Sequence, residues 1–421
     1  MADLEVVEIC AGAGGQALGL ELAGFRHRLA VELDDNAATT LAENLEVRRG
    51  LLPDSIVQRG DVADPEVWKP TDHQGIALLA GGVPCPPFSI AGKQLGASDE
   101  RDLFAWAVEQ VHYMRPRALL LENVRGLSMH RFAGYRQHVL DRLQEFGYVA
   151  EWRLLNASDF GVPQLRPRFV LVALQEEYAP YFYWPEPAGP PPKVGETLID
   201  LMAANGWEGA EEWAERANKI APTIVGGSKK HGGADLGPTR AKRAWAQLGV
   251  DALGVANHAP EPGDTFEVGP KLTCEMVARI QGWRDEWGWE FTGRKTSRYR
   301  QIGNAFPPPV ARAVGEAIAR ALQKKGTPRE REIDRHHDRL YRALRDHGDY
   351  MTVAQLLRAS ELDLDVPELE HRMSLLSRDF EIDKRVTKTT TAYKLGQFKA
   401  FMGQEDHDRH ERFLQHRAKI S

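Results

Sequence analysis

Val6-Val7-Glu8-Ile9-Cys10-Ala11-Gly12-Ala13-Gly14-Gly15-Gln16-Ala17 opens the chain with a short apolar run that feeds directly into glycines. A strand ending in G-x-G-x-x-A and turning into a helix brings bare backbone and free N–H groups to one point, where a ligand can approach. The same alternation continues outward from there. Leu29-Ala30-Val31, Ile76-Ala77-Leu78-Leu79-Ala80, Ala118-Leu119-Leu120-Leu121 and Phe169-Val170-Leu171-Val172-Ala173 read as buried strands. Residues 18–22 and 104–111 carry apolar residues at helical spacing. Strands alternating with helices predict βα units on a mostly parallel, doubly wound α/β sheet of Rossmann-like type.

The chain has 421 residues, enough for two or three domains. Apolar residues make up 42% and charged residues 27%, the profile of a soluble globular protein. No apolar run is long enough to span a membrane, and the N-terminus lacks the basic start of a signal peptide, so a cytoplasmic protein is expected. Three widely spaced cysteines, Cys10, Cys85 and Cys274, exclude a disulfide framework and a zinc knuckle, and no metal is expected. The formal net charge is −6, so any surface for nucleic acid has to be a local patch. A proline-rich stretch at 185–192 breaks the βα pattern, and a glycine-rich, irregular region follows to about Pro270. Helical character returns at 272–281 and 310–322, and Gly326-Thr327-Pro328 reads as a linker to a separate tail.

Acidic residues punctuate the first strands. Glu32 closes the second, where a carboxylate can accept hydrogen bonds from a ribose diol, and Asp61 follows Gly60 at another strand end. A tight turn that merely packs a helix is the rival reading, and the two acids weigh against it. An adenosine-containing cofactor follows, with NAD and S-adenosyl-L-methionine both open at this point.

Leu79-Ala80-Gly81-Gly82-Val83-Pro84-Cys85-Pro86-Pro87-Phe88-Ser89 separates them. Proline fixes φ and lacks an N–H, so a cysteine clamped between prolines sits in a loop of set shape. Small buried hydrophobe is the ordinary role of a lone cysteine, and it suits Cys274 and Cys10. For Cys85, at a strand's carboxyl end, a rigid nucleophile is the better reading. Glu122 ends the next apolar strand, where it can cap a helix, pair with a base, or protonate a ring if burial raises its pKa. Gln164-Leu165-Arg166-Pro167-Arg168 places two arginines two apart, on one face of an extended chain.

Taken in order, these motifs resemble the DNA (cytosine-5)-methyltransferase family over about residues 4–322. The opening Glu8-Ile9-Cys10 departs from the family's Asp-Leu-Phe, so the aromatic that usually lies against adenine is missing. Glu32 and Asp61 match the ribose and adenine acids. Pro84-Cys85 is similar to the catalytic pair, Glu122-Asn123-Val124 to the Glu-Asn-Val tripeptide, and Gln164, Arg166 and Arg168 to Gln-x-Arg-x-Arg. Residues 272–282 resemble the ninth motif, and Gln301-Ile302-Gly303-Asn304-Ala305-Phe306 the tenth. The resemblance implies S-adenosyl-L-methionine bound by Cys10, Ala11, Gly12, Gly14, Gly15, Glu32, Asp61, Gly82, Pro84, Asn304 and Ala305. It further implies that Cys85 adds to carbon 6 of a flipped-out cytosine, that Glu122 holds the N3 edge, and that Arg168 contacts O2. Arg166 is expected to organise the cysteine and a nearby phosphate. The glycine-hinged stretch 89–101 is implied to close over double-stranded DNA, with Ser89 and Gln94 near the displaced strand.

The implied organisation is a catalytic domain at 1–185, a target-recognition domain at 186–270, a return to the catalytic domain at 271–325, and a C-terminal extension at 326–421. From Pro222 to Arg243 there are five lysines and arginines against one acid, Asp235, and Lys229, Lys230, Arg240 and Arg243 are the expected contacts to DNA. In the tail, three helices and a hairpin over 385–395 suggest a winged-helix module, but 18 basic residues balance 18 acidic ones. Nucleic-acid binding, a protein partner, or a structural role all remain open for it, and the enzyme is expected to act as a monomer on DNA. Tail histidines at 336, 337, 407, 410 and 416 lack partner cysteines and read as solvated. Restriction–modification or defence is the expected setting. A tRNA cytosine methyltransferase is the enzyme rival, disfavoured because its Cys-Phe-Thr tripeptide is absent. A catalytically silent DNA-binding scaffold is the non-enzymatic rival, and intact Cys85, Glu122 and Arg168 argue against it.

Overall fold

The computed structural model describes residues 4–52, 54–84, 101–227, 234–329, 338–387 and 390–399. From the N-terminus, β1 (Glu5–Ile9) leads through the glycine turn to α1 (Gly15–Leu22), β2 (Arg26–Glu32), α2 (Asp35–Leu45), β3 (Val57–Arg59) and β4 (Leu78–Gly81). Then come α3 (Arg101–Met114), β5 (Ala118–Val124), α4 (Ala133–Glu145), β6 (Tyr148–Asn156) and β7 (Pro167–Gln175). They form one seven-stranded sheet in the order β3-β2-β1-β4-β5-β7-β6. Strands β1 to β5 pair in parallel, while β7 runs antiparallel between β5 and β6. The link from β6 to β7 contains no crossover helix, which parallel neighbours would need.

Both faces of the sheet are covered, and the strands alternate accordingly. Leu119 and Leu121 of β5 and Phe169 and Leu171 of β7 join one core with α3 and α4. Leu120 and Val170 point the other way, into a core completed by α1 and α10 (Pro308–Leu322). Because both sides bury apolar side chains, these strands read as continuous hydrophobic runs. One charge interrupts the second core. Glu8 Oε2 meets His27 Nε2 at 2.8 Å, and His27 Nδ1 lies 3.7 Å from Glu21 on α1. Burial opposes the charge on His27, but the nearby Glu21 carboxylate and the hydrogen-bonded Glu8 carboxylate prevail and raise its pKa to about 9.

Beyond β7, the region expected to be irregular contains α5 (Val194–Met202), α6 (Ala210–Arg216) and α7 (Thr239–Gln247). These pack with α8 (Cys274–Ile280) and α9 (Lys295–Asn304) around Trp213, Trp245, Leu272 and Tyr299 in one apolar cluster. The second lobe's core therefore runs past residue 270 to Ile302, and α10 carries the chain back to the sheet.

The tail comprises α11 (Arg339–His347), β8 (Met351–Thr352), α12 (Val353–Ser360), α13 (Val366–Asp379), β9 (Phe380–Val386) and β10 (Thr391–Phe398). Its sheet has the order β8-β10-β9, antiparallel throughout. It does not stand apart as its composition suggested. Leu340, Leu376, Phe380 and Phe398 belong to the same apolar core as α3 and α4. No helix among the described residues is long and apolar enough to cross a membrane.

Candidate active site

Strand order reverses between β1 and β4, and in doubly wound sheets a ligand binds beyond the strand ends at that reversal. Here the reversal collects two loops, Cys10–Gly14 after β1 and Gly82–Pro84 after β4. Cys10 adopts φ +51°, a left-handed conformation that is uncommon for a side chain with a Cβ. It is half-buried, whereas Cys274 is fully buried and behaves as the small hydrophobe expected.

The glycines of the turn divide into two kinds. Gly12, at φ +58°, has nothing within 4 Å of where a Cβ would stand, so its missing side chain leaves open space at the crevice. Gly14, at φ +92°, is roofed instead, because a Cβ there would fall 2.2 Å from the Trp289 ring. A Cβ on Gly15 would fall 2.3 Å from the Phe306 carbonyl oxygen and 3.0 Å from the Ala305 Cβ. Ala305 of the returning chain thus lies against the turn. Exposed Asn304 faces the second lobe and donates to the Gly227 carbonyl at 3.3 Å.

Glu32 organises this end of the site. Its carboxylate accepts from Gly12 N and Asp34 N, both at 2.7 Å, which holds the turn against the end of β2. Burial raises its pKa, offset in part by those two backbone donors. Asp61, buried after β3, accepts from Ala63 N at 2.9 Å. Both acids stand on the edge where β2 and β3 end. With Gly12 left open, the two carboxylates form an acceptor set of the kind a ribose diol and an adenine amine would engage.

Trp289 was not singled out from the sequence. Its Nε1 donates to the Ala13 carbonyl at 3.1 Å, so a residue of the second lobe caps the turn. The same strap is fixed to α2 by a reciprocal pair of bonds between Asn44 and the Glu290 backbone, at 2.8 and 2.9 Å. The density of tryptophan at 283, 287 and 289 is the only local signal.

On the other side of the crevice stand Glu122 and Arg168. They project from the same face of the antiparallel β5–β7 pair, and Arg168 Nε lies 2.6 Å from Glu122 Oε1. Burial pushes the pKa of Glu122 up, while the Arg168 and Arg166 charges pull it back. Gly82 lies beside this pair, since a Cβ on it would be 3.6 Å from Glu122 Oε2 and from the Cys10 carbonyl. Asn123, on the opposite face, donates to the Val83 carbonyl at 3.2 Å and so pins the loop at Val83, next to exposed Pro84. Cys85, Ser89, Gln94, Lys229 and Lys230 lie outside the described residues.

Arg166 has a structural part in the fold. It lies just before β7, outside strand alternation, and is fully buried. Its guanidinium donates to the carbonyls of Ile224 (2.8 Å), Gly303 (2.7 Å) and Ala305 (3.0 Å). Arg166 is therefore a tie between three chain segments, made through its two terminal nitrogens. Gln164 extends the tie. It donates to Gln281 Oε1 at 2.5 Å and accepts from Ile224 N at 2.8 Å. Arg240 and Arg243, expected on loops, are exposed on α7, and Asp235 pairs with the intervening Lys242 at 2.8 Å.

Comparison with known proteins agrees with this geometry. The family model for the C-5 cytosine-specific DNA methylase matches residues 4–320. The chain is 70% identical to the type II methyltransferase M.NaeI of Lentzea aerocolonigenes over 421 residues, all of both chains. It is 49% identical to M.NgoMIV of Neisseria gonorrhoeae over 323 residues, 76% of this chain and 98% of the relative. Among solved structures, one described as a DNA modification methyltransferase encoded within an E. coli prophage aligns with a TM-score of 0.51 at 22% identity, covering 76% of this chain and 99% of its own. A variant of Spodoptera frugiperda DNMT2 aligns at 0.52 and 17% identity, with the same coverage. Those two likenesses concern the fold alone.

Proposed function

This chain belongs to the C-5 cytosine-specific DNA methylase family and is a DNA cytosine-5 methyltransferase, and on that premise we propose how its residues divide the work. Duplex DNA is the substrate, and protection of a specific sequence in a restriction–modification system is the role. The enzyme acts as a monomer in the cytoplasm. Residues 186–270 read the target, with Lys229, Lys230, Arg240 and Arg243 on the DNA, and the tail is a winged-helix module.

Cytosine carbon 5 is too weak a nucleophile to be methylated in an intact ring. The Cys85 thiolate adds to carbon 6, and the electrons displaced from the double bond load carbon 5. This requires the base out of the stack, at a cost of a few kcal/mol. Glu122, whose pKa is raised by burial, can hold a proton toward N3 and accept from the exocyclic amine. Arg168, held beside it at 2.6 Å, is aimed to stabilise charge on O2. S-adenosyl-L-methionine, when bound, supplies the methyl group that ends on carbon 5. A base then removes the carbon 5 proton, the double bond re-forms, and Cys85 leaves. Gly12, Glu32 and Asp61 orient the cofactor, and Ser89 and Gln94 attend the opened duplex.

One observation carries this reading. The Glu122–Arg168 pair and the loop leading to Cys85 are built into one wall of the crevice, with Asn123 tying them together. Incubating the protein and labelled S-adenosyl-L-methionine with duplex DNA or with tRNA tests it directly. Label is expected in 5-methylcytosine of the DNA, and label confined to the tRNA contradicts the assignment.

A further inference from the structure

The tail lies beyond residue 320, where the family match ends, and its charges are sharply segregated. Residues 338–383 hold 11 acidic against 6 basic residues, whereas 384–399 hold 5 basic residues and no acid. The balance noted over the whole tail hides this division. Helix α11 spends two of its arginines internally, since Arg342 pairs with Asp141 of α4 at 3.0 Å and Arg345 pairs with Asp141 and Glu145.

Those pairs lock the module to the catalytic core. A Cβ on Gly134 of α4 would fall 2.3 Å from Leu376, and the His138 ring stacks on Phe398 at 4.3 Å. Phe380 and Phe398, at the base of the β9–β10 hairpin, are buried, while Lys384, Arg385, Val386 and Thr387 on β9 and beyond are exposed. Arg385 is braced over the Tyr350 ring at 3.5 Å to the centroid. Lys384 and Lys394 make solvent-exposed ion pairs, with Glu370 at 3.2 Å and Asp349 at 3.3 Å, and lie over the Tyr393 and Tyr350 rings, each at 5.6 Å. Such pairs are weak and exchange readily for another anion. Strand β9 is one edge of its sheet, and the threonine hydroxyls at 387 and 390 donate to backbone carbonyls within the turn that follows it.

We propose that this rigidly mounted hairpin is a second contact with the sugar–phosphate backbone of duplex DNA, made through Lys384, Arg385 and Lys394. The chemistry is that of a regularly spaced polyanion, met by cations on an exposed β-ribbon. The duplex is either the flank of the target-bearing molecule or a second molecule. The inference rests on duplex DNA being the substrate and adds a site outside the active crevice.

The test compares the full-length protein with its K384Q/R385Q/K394Q variant, measuring binding against salt on target duplexes of about 14 and about 40 base pairs. Neutralising three phosphate contacts is expected to lower the slope of log K against log salt by about 2 to 3. A change on the long duplex only assigns the contact to the flank. A change seen when unlabelled non-target duplex is added to the short complex assigns it to a second molecule. R385K with Lys384 and Lys394 intact is expected to keep the wild-type slope, which separates charge from the packing on Tyr350. Slopes identical for the wild-type and triple-variant proteins in every format overturn the proposal. In that case methylation of the target still stands, whereas a protein that fails to methylate DNA at all refutes the underlying assignment instead.

Discussion

Alanine placed at Gly12 and at Gly14 should fail in opposite ways. Both glycines are left-handed, at φ +58° and +92°, so each substitution carries about 1–2 kcal/mol of backbone strain. At Gly14 the new methyl would also enter the Trp289 ring at 2.2 Å and the Leu41 side chain at 2.9 Å. Displacing that packing adds about 1–3 kcal/mol, for a total near 2–5 kcal/mol. At Gly12 nothing stands within 4 Å, so stability should fall by the strain alone. If that open space receives the cofactor, however, the methyl collides with the ligand. Chemical denaturation and calorimetric titration with S-adenosylhomocysteine separate the two effects. Gly12→Ala is expected to lose only about 1–2 kcal/mol of stability and to lose affinity by tenfold or more, equivalent to about 1.4 kcal/mol. Gly14→Ala is expected to lose mainly stability. Normal cofactor affinity in Gly12→Ala, or wild-type stability in Gly14→Ala, refutes the division.

Other perturbations follow from the buried polar groups. Arg166→Met leaves the carbonyls of Ile224, Gly303 and Ala305 without their donor, and denaturation should show a loss of about 3–5 kcal/mol; less than 1 kcal/mol contradicts the tie. The His27 pKa is raised to about 9 from 6.5, so its stabilisation is complete below pH 6.5 and disappears as pH rises through 9. Wild-type stability should therefore drop by up to about 3 kcal/mol across that window, and His27→Gln should flatten the profile. Asp141→Asn removes the anion shared by Arg342 and Arg345 and should cost about 3–5 kcal/mol while loosening the tail, read by faster proteolysis near residue 326.

Much of the site was legible because each group sits where a strand stops. An apolar run followed by Gly12, Glu32, Gly82 or Glu122 marks the strand and its functional end, and β1, β2 and β4 stop at or just before these groups, while β5 runs two residues past Glu122 to Val124. Trp289 was invisible for the opposite reason, since 276 residues separate it from the carbonyl it caps. Both Arg166 and Arg168 act on Glu122, and what the period-two spacing could not show is that Arg166, just ahead of β7, is tied to backbone carbonyls of segments far away in sequence. Helices α6 and α7 gave no start signal, as Gly209 and Pro238 precede them without a side-chain cap. Strand β6 escaped because it lies on the sheet edge and carries Glu151, Trp152 and Arg153 in a row. The tail looked detached because its linker and charge are local features, while the faces that seat it on α4 meet only in three dimensions.

Covalent capture examines the proposed chemistry most directly. DNA that the enzyme methylates can be resynthesised with 5-fluorocytosine, whose carbon 5 cannot release a proton, and incubated with the protein and S-adenosyl-L-methionine. A complex that survives denaturation and disappears in Cys85→Ser is the predicted result. No such complex with the wild-type protein, or one that persists without the Cys85 sulfur, would contradict the account.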